Sequence, residues 1–405
     1  MRTAPRQPTA ADAALTRRTL LQGAAAAGLA FLMPPMAQGG DNLIRAVDWT
    51  KTLILIELDG GNDGLNTVVP YGQAAYATAR GSLAVDASQV LALDVGLGLN
   101  PMMSSLMPAW SAGDLAVVLG VGYPSPNRSH FRGIDIWNTG SDATQVLSTG
   151  WLDRIMAGTS LDPASPAHGV LLGRYSSNPL AGPGVRTLSM SSPASFISRS
   201  ASVPTIAGGT GNPALDHYLD VQAGVVVAGG AFKTAFTTTP TFTTIFPTQS
   251  SLGRQAQYAA QILAAGLQVP VIKLSIGGFD NHANQRTKHD DLLAQVAESM
   301  AALRSALIEK GLWNRVMVMT YSEFGRRVNV NGSNGTDHGT AAPHLVLGGA
   351  VNGGLFGTQP SLSSLDSRGD LIFNTDFRAM FAGGLAFLGY DPAPLGAAWT
   401  PLALA

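Results

Sequence analysis

The chain has 405 residues, a formal net charge of −1, 13% charged residues and 45% hydrophobic ones. Near-neutrality excludes a broad basic face for nucleic acid, and the length allows a sizeable buried core. Cysteine is absent, so disulfides, thiolate metal sites and cysteine nucleophiles are excluded, and any metal ligands must be Asp, Glu, His, Asn or Ser.

The first segment, "TRRTLLQGAAAAGLAFLMPPMAQGG", sets Arg17 and Arg18 before an alanine-rich apolar stretch with small residues after it. This is the pattern of a twin-arginine export signal occupying residues 1–40. The stretch is short and only mildly apolar, so cleavage is expected over an uncleaved signal anchor, with no permanent membrane span. The expected location is periplasmic or secreted, with the twin-arginine translocase as a partner during export.

Next come the strands. "TLILIEL" (52–58), "LAVVLGVG" (115–122), "GVLLG" (169–173), "VIKLSIG" (271–277), "VMVMTYS" (316–322) and "HLVLGG" (344–349) are near-continuous apolar runs. Helical patterns separate several of them. In the one at 289–311, Leu292, Val296, Met300, Leu303 and Leu307 recur at helical spacing. Buried strands alternating with amphipathic helices predict a doubly wound, mostly parallel α/β sheet with helices on both faces. Residues 176–249 are rich in Ser, Thr, Gly, Pro and Ala, and read as a loop-rich cap or insertion within a single 41–405 domain.

Functional loops of such sheets gather at the carboxyl ends of the strands, and four loops there carry polar residues. "LDGGNDGLNTVVPY" holds Asp59 and Asp63. Either carboxylate suits a hard cation, and either also suits a glycine turn in which Asp caps a helix. "VGYPSPNRSHFRGIDIWNTG" holds Ser129 beside His130, flanked by Arg128 and Arg132. It reads either as a nucleophile with anion-binding arginines or as a capping serine with solvated neighbours. "GGFDNHANQ" brings Asp280 and His282 within one tight loop, where both can meet one metal; the alternative is an Asx turn. "YSEFGRRVNVNGSNGTDHGTAAPH" supplies Glu323, Arg326, Asp337 and His338, with His344 as either a site residue or a packed one. Together these loops present oxygen and nitrogen ligands for one or two divalent cations such as Zn, Mn, Mg or Ca.

With "GGNDGLNTVVPY", "SHFRGIDIWNTG", "GGFDNHANQ", "YSEFGR" and "TDHGTAAPHLVLGGAVNGG" in that order behind the signal, the chain resembles the domain of unknown function 1501 family. These are exported bacterial proteins of the alkaline phosphatase and sulfatase superfamily. The resemblance implies an alkaline phosphatase-like fold and a two-metal hydrolase site for phosphate or sulfate esters. It implies that Asp59 or Asp63, Asp280, His282, Glu323, Asp337 and His338 are metal ligands. It also implies that Ser129 is the nucleophile or a metal bridge, with Arg128, Arg132 and Arg326 stabilising charge. Phe324 stands where the superfamily has a histidine, a departure that favours a non-catalytic binding or scaffold protein of the cell envelope as the rival reading. The expected substrate is a small anionic ester or an envelope component.

Overall fold

The structure is a computed structural model and describes residues 48–173, 178–204, 209–395 and 399–405. The segment read as an export signal, residues 1–40 with Arg17 and Arg18, lies outside the described residues.

Twelve strands occur in chain order: β1 (Thr52–Asp59), β2 (Val68–Val69), β3 (Leu91–Asp94), β4 (Leu97–Leu99), β5 (Leu115–Gly122), β6 (Gly169–Leu172), β7 (Thr187–Met190), β8 (Val271–Gly277), β9 (Val316–Tyr321), β10 (Ala342–Gly348), β11 (Gly354–Phe356) and β12 (Thr375–Asp376). Nine of them form one sheet in the order β11-β5-β10-β9-β1-β8-β6-β7, with β12 also paired to β5. All pairings in this sheet are parallel except those of β10, which runs against both β9 and β5. The mostly parallel α/β class expected from the apolar runs is the one observed.

The runs are continuous because both faces are covered. On β1, Ile54, Ile56 and Leu58 point into one core while Leu53 and Leu55 point into the other, as a period of two requires. The first core is closed by the helices Ser251–Ala264 and Gln285–Glu309. The second is closed by His130–Thr139, Trp151–Met156 and Phe377–Leu388, with the Trp137 and Trp151 rings both in contact with Phe381. Each fully buried aliphatic or aromatic side chain contributes about 1.5–3 kcal/mol. In the long helix Leu293 is buried, whereas Leu292 sits only partly buried at its edge.

The stretch read as a cap departs from that description in one respect. β7 lies inside it and forms the sheet's outer strand against β6. Its helices Pro193–Ser200 and Pro213–Ala235 meet through Phe196 and Phe232 and sink Val225, Ala228 and Phe232 into the first core. The small residues that made it look loop-like permit this approach: a Cβ on Gly229 would collide with Ser200 Oγ at 1.9 Å. Among the described residues, no helix is long and apolar enough to cross a membrane.

Because β1, β5, β8 and β9 run the same way, the loops after all four reach one rim. β10 begins at that rim, so residues 322–341 leave the sheet and return to it on the same side.

Candidate metal centre

The rim loops are drawn together by backbone contact. Gly60 and Gly61 follow β1 at φ +119° and +76°. A Cβ on Gly60 would lie 2.4 Å from the Asp280 backbone nitrogen, and one on Gly61 would lie 2.5 Å from the Phe324 ring. Only glycine fits either position.

Three imidazoles converge on Asp280. His130 opens the helix His130–Thr139, and its Nδ1 is 2.7 Å from Glu323 Oε1. Glu323 is fully buried and is fixed by the Gly60 amide (2.9 Å) and the Ser322 hydroxyl (3.1 Å). A carboxylate acceptor there places the proton on Nδ1 and leaves the Nε2 lone pair facing inward. That Nε2 lies 3.5 Å from Asp280 Oδ2 and has no hydrogen-bond partner despite being buried. His338 repeats the pattern, with Nδ1 donating to the Arg128 carbonyl at 2.8 Å and Nε2 standing 3.2 Å from Asp280 Oδ1. His282 has Asp337 Oδ1 3.1 Å from Nδ1, and its Nε2 lies 2.9 Å from Asp280 Oδ1 and 3.0 Å from His338 Nε2.

Two facing Nε2 atoms at 3.0 Å cannot both present lone pairs unless a positive charge lies with them. A proton on His282 or a cation satisfies that demand. Ligand atoms of His130, Asp280 and His338 all lie within 4.8 Å of one another, which suits a single ion. Neutral imidazoles with oxygen-bonded Nδ1 atoms plus one carboxylate are the donor set of zinc or manganese rather than calcium. The residues present therefore fit a metal.

Partial burial works against the Asp280 carboxylate, but the Arg326 guanidinium, which donates to Oδ1, holds it down at about 2. Its hydrogen bond to Glu323 raises His130 above the usual histidine value. Burial lowers His338, against the pull of its Arg128 bond. The Phe324 ring packs against both His130 and His338, at centroid distances of 5.0 and 4.6 Å, and forms an apolar floor beneath them.

The structure brings Asp280, His282, Asp337 and His338 together and places the other candidates elsewhere. Glu323 lies behind His130 and orients it. Asp63 is fully buried with both its described partners structural, an ion pair to Arg80 and a hydrogen bond from Gln285. Asp59 ends β1 half-buried, and its charge acts on Glu57 and Tyr321 beneath the rim. Arg326 does not face substrate. It donates to the carbonyls of Gly60, Gly61, Phe279 and Thr336 and to Asp280 Oδ1 (2.7 Å), tying three loops together. Arg132 is turned to Asp135 and to the carbonyls of 142, 143 and 145. Arg128 is bound to Asp370 and serves the centre through its carbonyl. Ser129 is exposed at the helix N-cap, and its hydroxyl makes no hydrogen bond to a described residue. His344 lies in β10 with both ring nitrogens unpartnered, edge-on to Trp137 at 5.1 Å, and burial holds it at about 3. It is a packing residue. The candidate ligand not anticipated is His130. Its one signal was its place after Ser129 at the first turn of a helix following β5.

A cavity of ≈ 470 Å³ opens on the centre, lined by Arg128, His282, Arg327, Asp337, His338 and Arg368.

No curated protein matches the chain. Solved structures to which it is similar include the PsFucS1 sulfatase from Pseudoalteromonas sp., at 11% identity over 84% of this chain and 68% of that one, with a TM-score of 0.37. A protein in the alkaline phosphatase superfamily from Vibrio parahaemolyticus matches at 11% identity over 94% and 77%, with a TM-score of 0.36. The C-terminal periplasmic domain of EcEptC from Escherichia coli, in complex with zinc, matches at 9% identity over 78% and 77%, with a TM-score of 0.34. Likenesses this distant carry no residue roles. A family model, by contrast, matches residues 121–397 and so takes in every member of the centre from His130 to His338. On that match the chain belongs to the family described as protein of unknown function, DUF1501.

Proposed function

We propose that the chain is an exported, metal-dependent hydrolase of phosphate or sulfate esters, acting in the periplasm or beyond the cell on a small anionic ester or envelope substrate. One observation carries the reading: three imidazole Nε2 atoms meet at one carboxylate, and each Nδ1 is already held by an oxygen. Pre-set tautomers of this kind are what a metal site needs and a solvated histidine cluster lacks.

His130, Asp280 and His338 would hold the ion, with His282 adjoining. When bound, it supplies Lewis acidity to an ester's anionic centre. The protein's own residues do the rest. Glu323 and the Arg128 carbonyl hold the protons on Nδ1, so that the neutral imidazoles turn Nε2 inward. Arg326 fixes Asp280 and holds it ionised. Phe324 excludes water from below. Ser129, one residue before a ligand and with its hydroxyl uncommitted, is the nucleophile candidate; activation by a neighbouring cation is the usual route for a serine.

Elemental analysis of purified protein, combined with a panel of aryl phosphates and aryl sulfates, tests this. One or two equivalents of zinc or manganese and turnover of at least one ester are expected, both lost in D280A/H338A. Retained hydrolysis in that double variant would falsify the proposal. Bound metal with no turnover across the panel would instead assign the chain to binding or scaffolding, the reading that Phe324 favours.

A further inference from the structure

The cavity beside the centre has a cationic wall that the metal chemistry does not use. Three guanidinium groups, from Arg128, Arg327 and Arg368, line it, and they are unequally committed. Asp370 is fully buried, bound by Arg128 and 3.3 Å from Arg327 Nε, while Asp366 lies 3.7 Å from Arg128. Arg128 is thereby locked. Arg327 spends Nη2 on the Arg368 carbonyl and keeps Nη1 without a described partner. The Arg368 guanidinium, on an exposed residue, makes no hydrogen bond or ion pair to a described residue. Asp337, Asp366 and Asp370 all feel these arginines, but Arg327 Nη1 and the Arg368 guanidinium make no hydrogen bond to a described residue and stay available to a ligand in the cavity.

The wall is built rather than incidental. Arg368 sits at the tip of a closed turn. The Asp366 amide donates to the Asp370 carbonyl (2.9 Å), Gly369 to the Asp366 carbonyl (3.0 Å), and the amides of Arg368 and Asp370 both donate to Asp366 Oδ1 (2.8 Å). Gly369 takes φ +80°, and Leu365 bridges Leu371 at the base. Asp370 then ties the turn to Arg128, the residue whose carbonyl sets His338. A turn anchored at its base by the Arg128–Asp370 ion pair fixes where Arg368 leaves the backbone, which removes part of the ordering cost of binding.

We propose that Arg327 and Arg368 form a second oxyanion subsite, and that the substrate carries two anionic groups, one at the histidine–Asp280 centre and one at these arginines. The proposal rests on that centre being where the ester reacts. It narrows the substrate to bis-phosphorylated, multiply sulfated or equivalent dianionic esters. Planar guanidinium forks are matched to such oxyanions.

Isothermal titration with matched probes tests it: ethylphosphonate against ethane-1,2-diylbisphosphonate, and ethanesulfonate against ethane-1,2-disulfonate. In the wild type, at least one bis-anion binds about tenfold or more tighter than its mono-anion, and the pair showing the preference distinguishes phosphate from sulfate chemistry. In R327Q/R368Q the advantage falls to near parity. R368Q alone, which breaks no ion pair and so spares folding, reduces it about threefold or more. The bis-anion titrations of wild type and double variant are repeated after chelator treatment. The wild type still binds more tightly there, because the subsite contains no metal ligand; loss of the metal reading would appear separately, as absent metal uptake. No bis-anion preference in the wild type, or a preference that survives in R327Q/R368Q, overturns the proposal.

Discussion

Asp63 and Asp280 both stand in rim loops and both meet a fully buried arginine, yet their surroundings differ. Asp63 is closed in by Arg80 and Gln285 and has 2% of its side chain exposed; Asp280 has 46% exposed and faces three histidines besides Arg326. The first carboxylate neutralises a charge the fold has already buried. The second has more nitrogen neighbours than a lone carboxylate needs. A rim aspartate thus becomes a ligand through what converges on it, and position alone does not decide its role.

The sharpest way to break that contrast is D63A. It strands Arg80 in the interior, so a loss of about 3–5 kcal/mol in denaturant unfolding is expected, with metal stoichiometry kept in the folded fraction. A stable D63A lacking metal would reverse the two roles. D280A should do the opposite. Its unfolding free energy changes by less than about 1 kcal/mol, since Arg326 keeps four carbonyl partners, while bound metal disappears and ester hydrolysis falls about a hundredfold or more. E323Q acts one layer further back. It weakens the grip on His130 Nδ1, and metal affinity measured by chelator competition should fall about 10- to 100-fold.

At neutral pH no effect at all is expected from two buried histidines outside the centre; theirs appears only on acidification. Burial holds His289 at about 4 and His344 at about 3, against about 6.5 when unfolded. Both are neutral in the folded state at neutral pH. Between about pH 6.5 and these values the unfolded chain binds more protons, so stability is fully present above that window and declines as pH falls through it, by up to about 1.4 kcal/mol per unit per histidine. H344F, which strands no hydrogen-bond partner, should flatten that decline in thermal melts between about pH 6.5 and 4. An unchanged pH profile would show that His344 is protonated when folded.

The strands that build the rim were legible because each is a near-continuous apolar run, and a period of two feeding two cores leaves little room for another reading. β7 was not, since Thr187 and Ser189 interrupt a four-residue strand in a segment of turn-forming composition. The reversal of β10 was hidden as well, because a buried strand has the same composition in either direction. At the site, Asp280, His282, Asp337 and His338 were legible as acidic and imidazole groups crowded into glycine loops. His130 looked like any polar residue in a helix's first turn. Glu323 was seen, but its bond to His130 was not, since composition cannot separate a carboxylate facing an ion from one facing a histidine. Arg80 and Gln285, 17 and 222 residues from Asp63, could not have been paired with it in advance.

The reversed strand has a consequence for how this scaffold could change. In an all-parallel sheet the chain must travel the length of the molecule before it can revisit a given edge. Here residues 322–341 depart from β9 and rejoin at its immediate neighbour, like the handle of a cup. Lengthening or replacing the handle's outer part, around the exposed residues 332–334, would reshape the mouth without asking any strand to move.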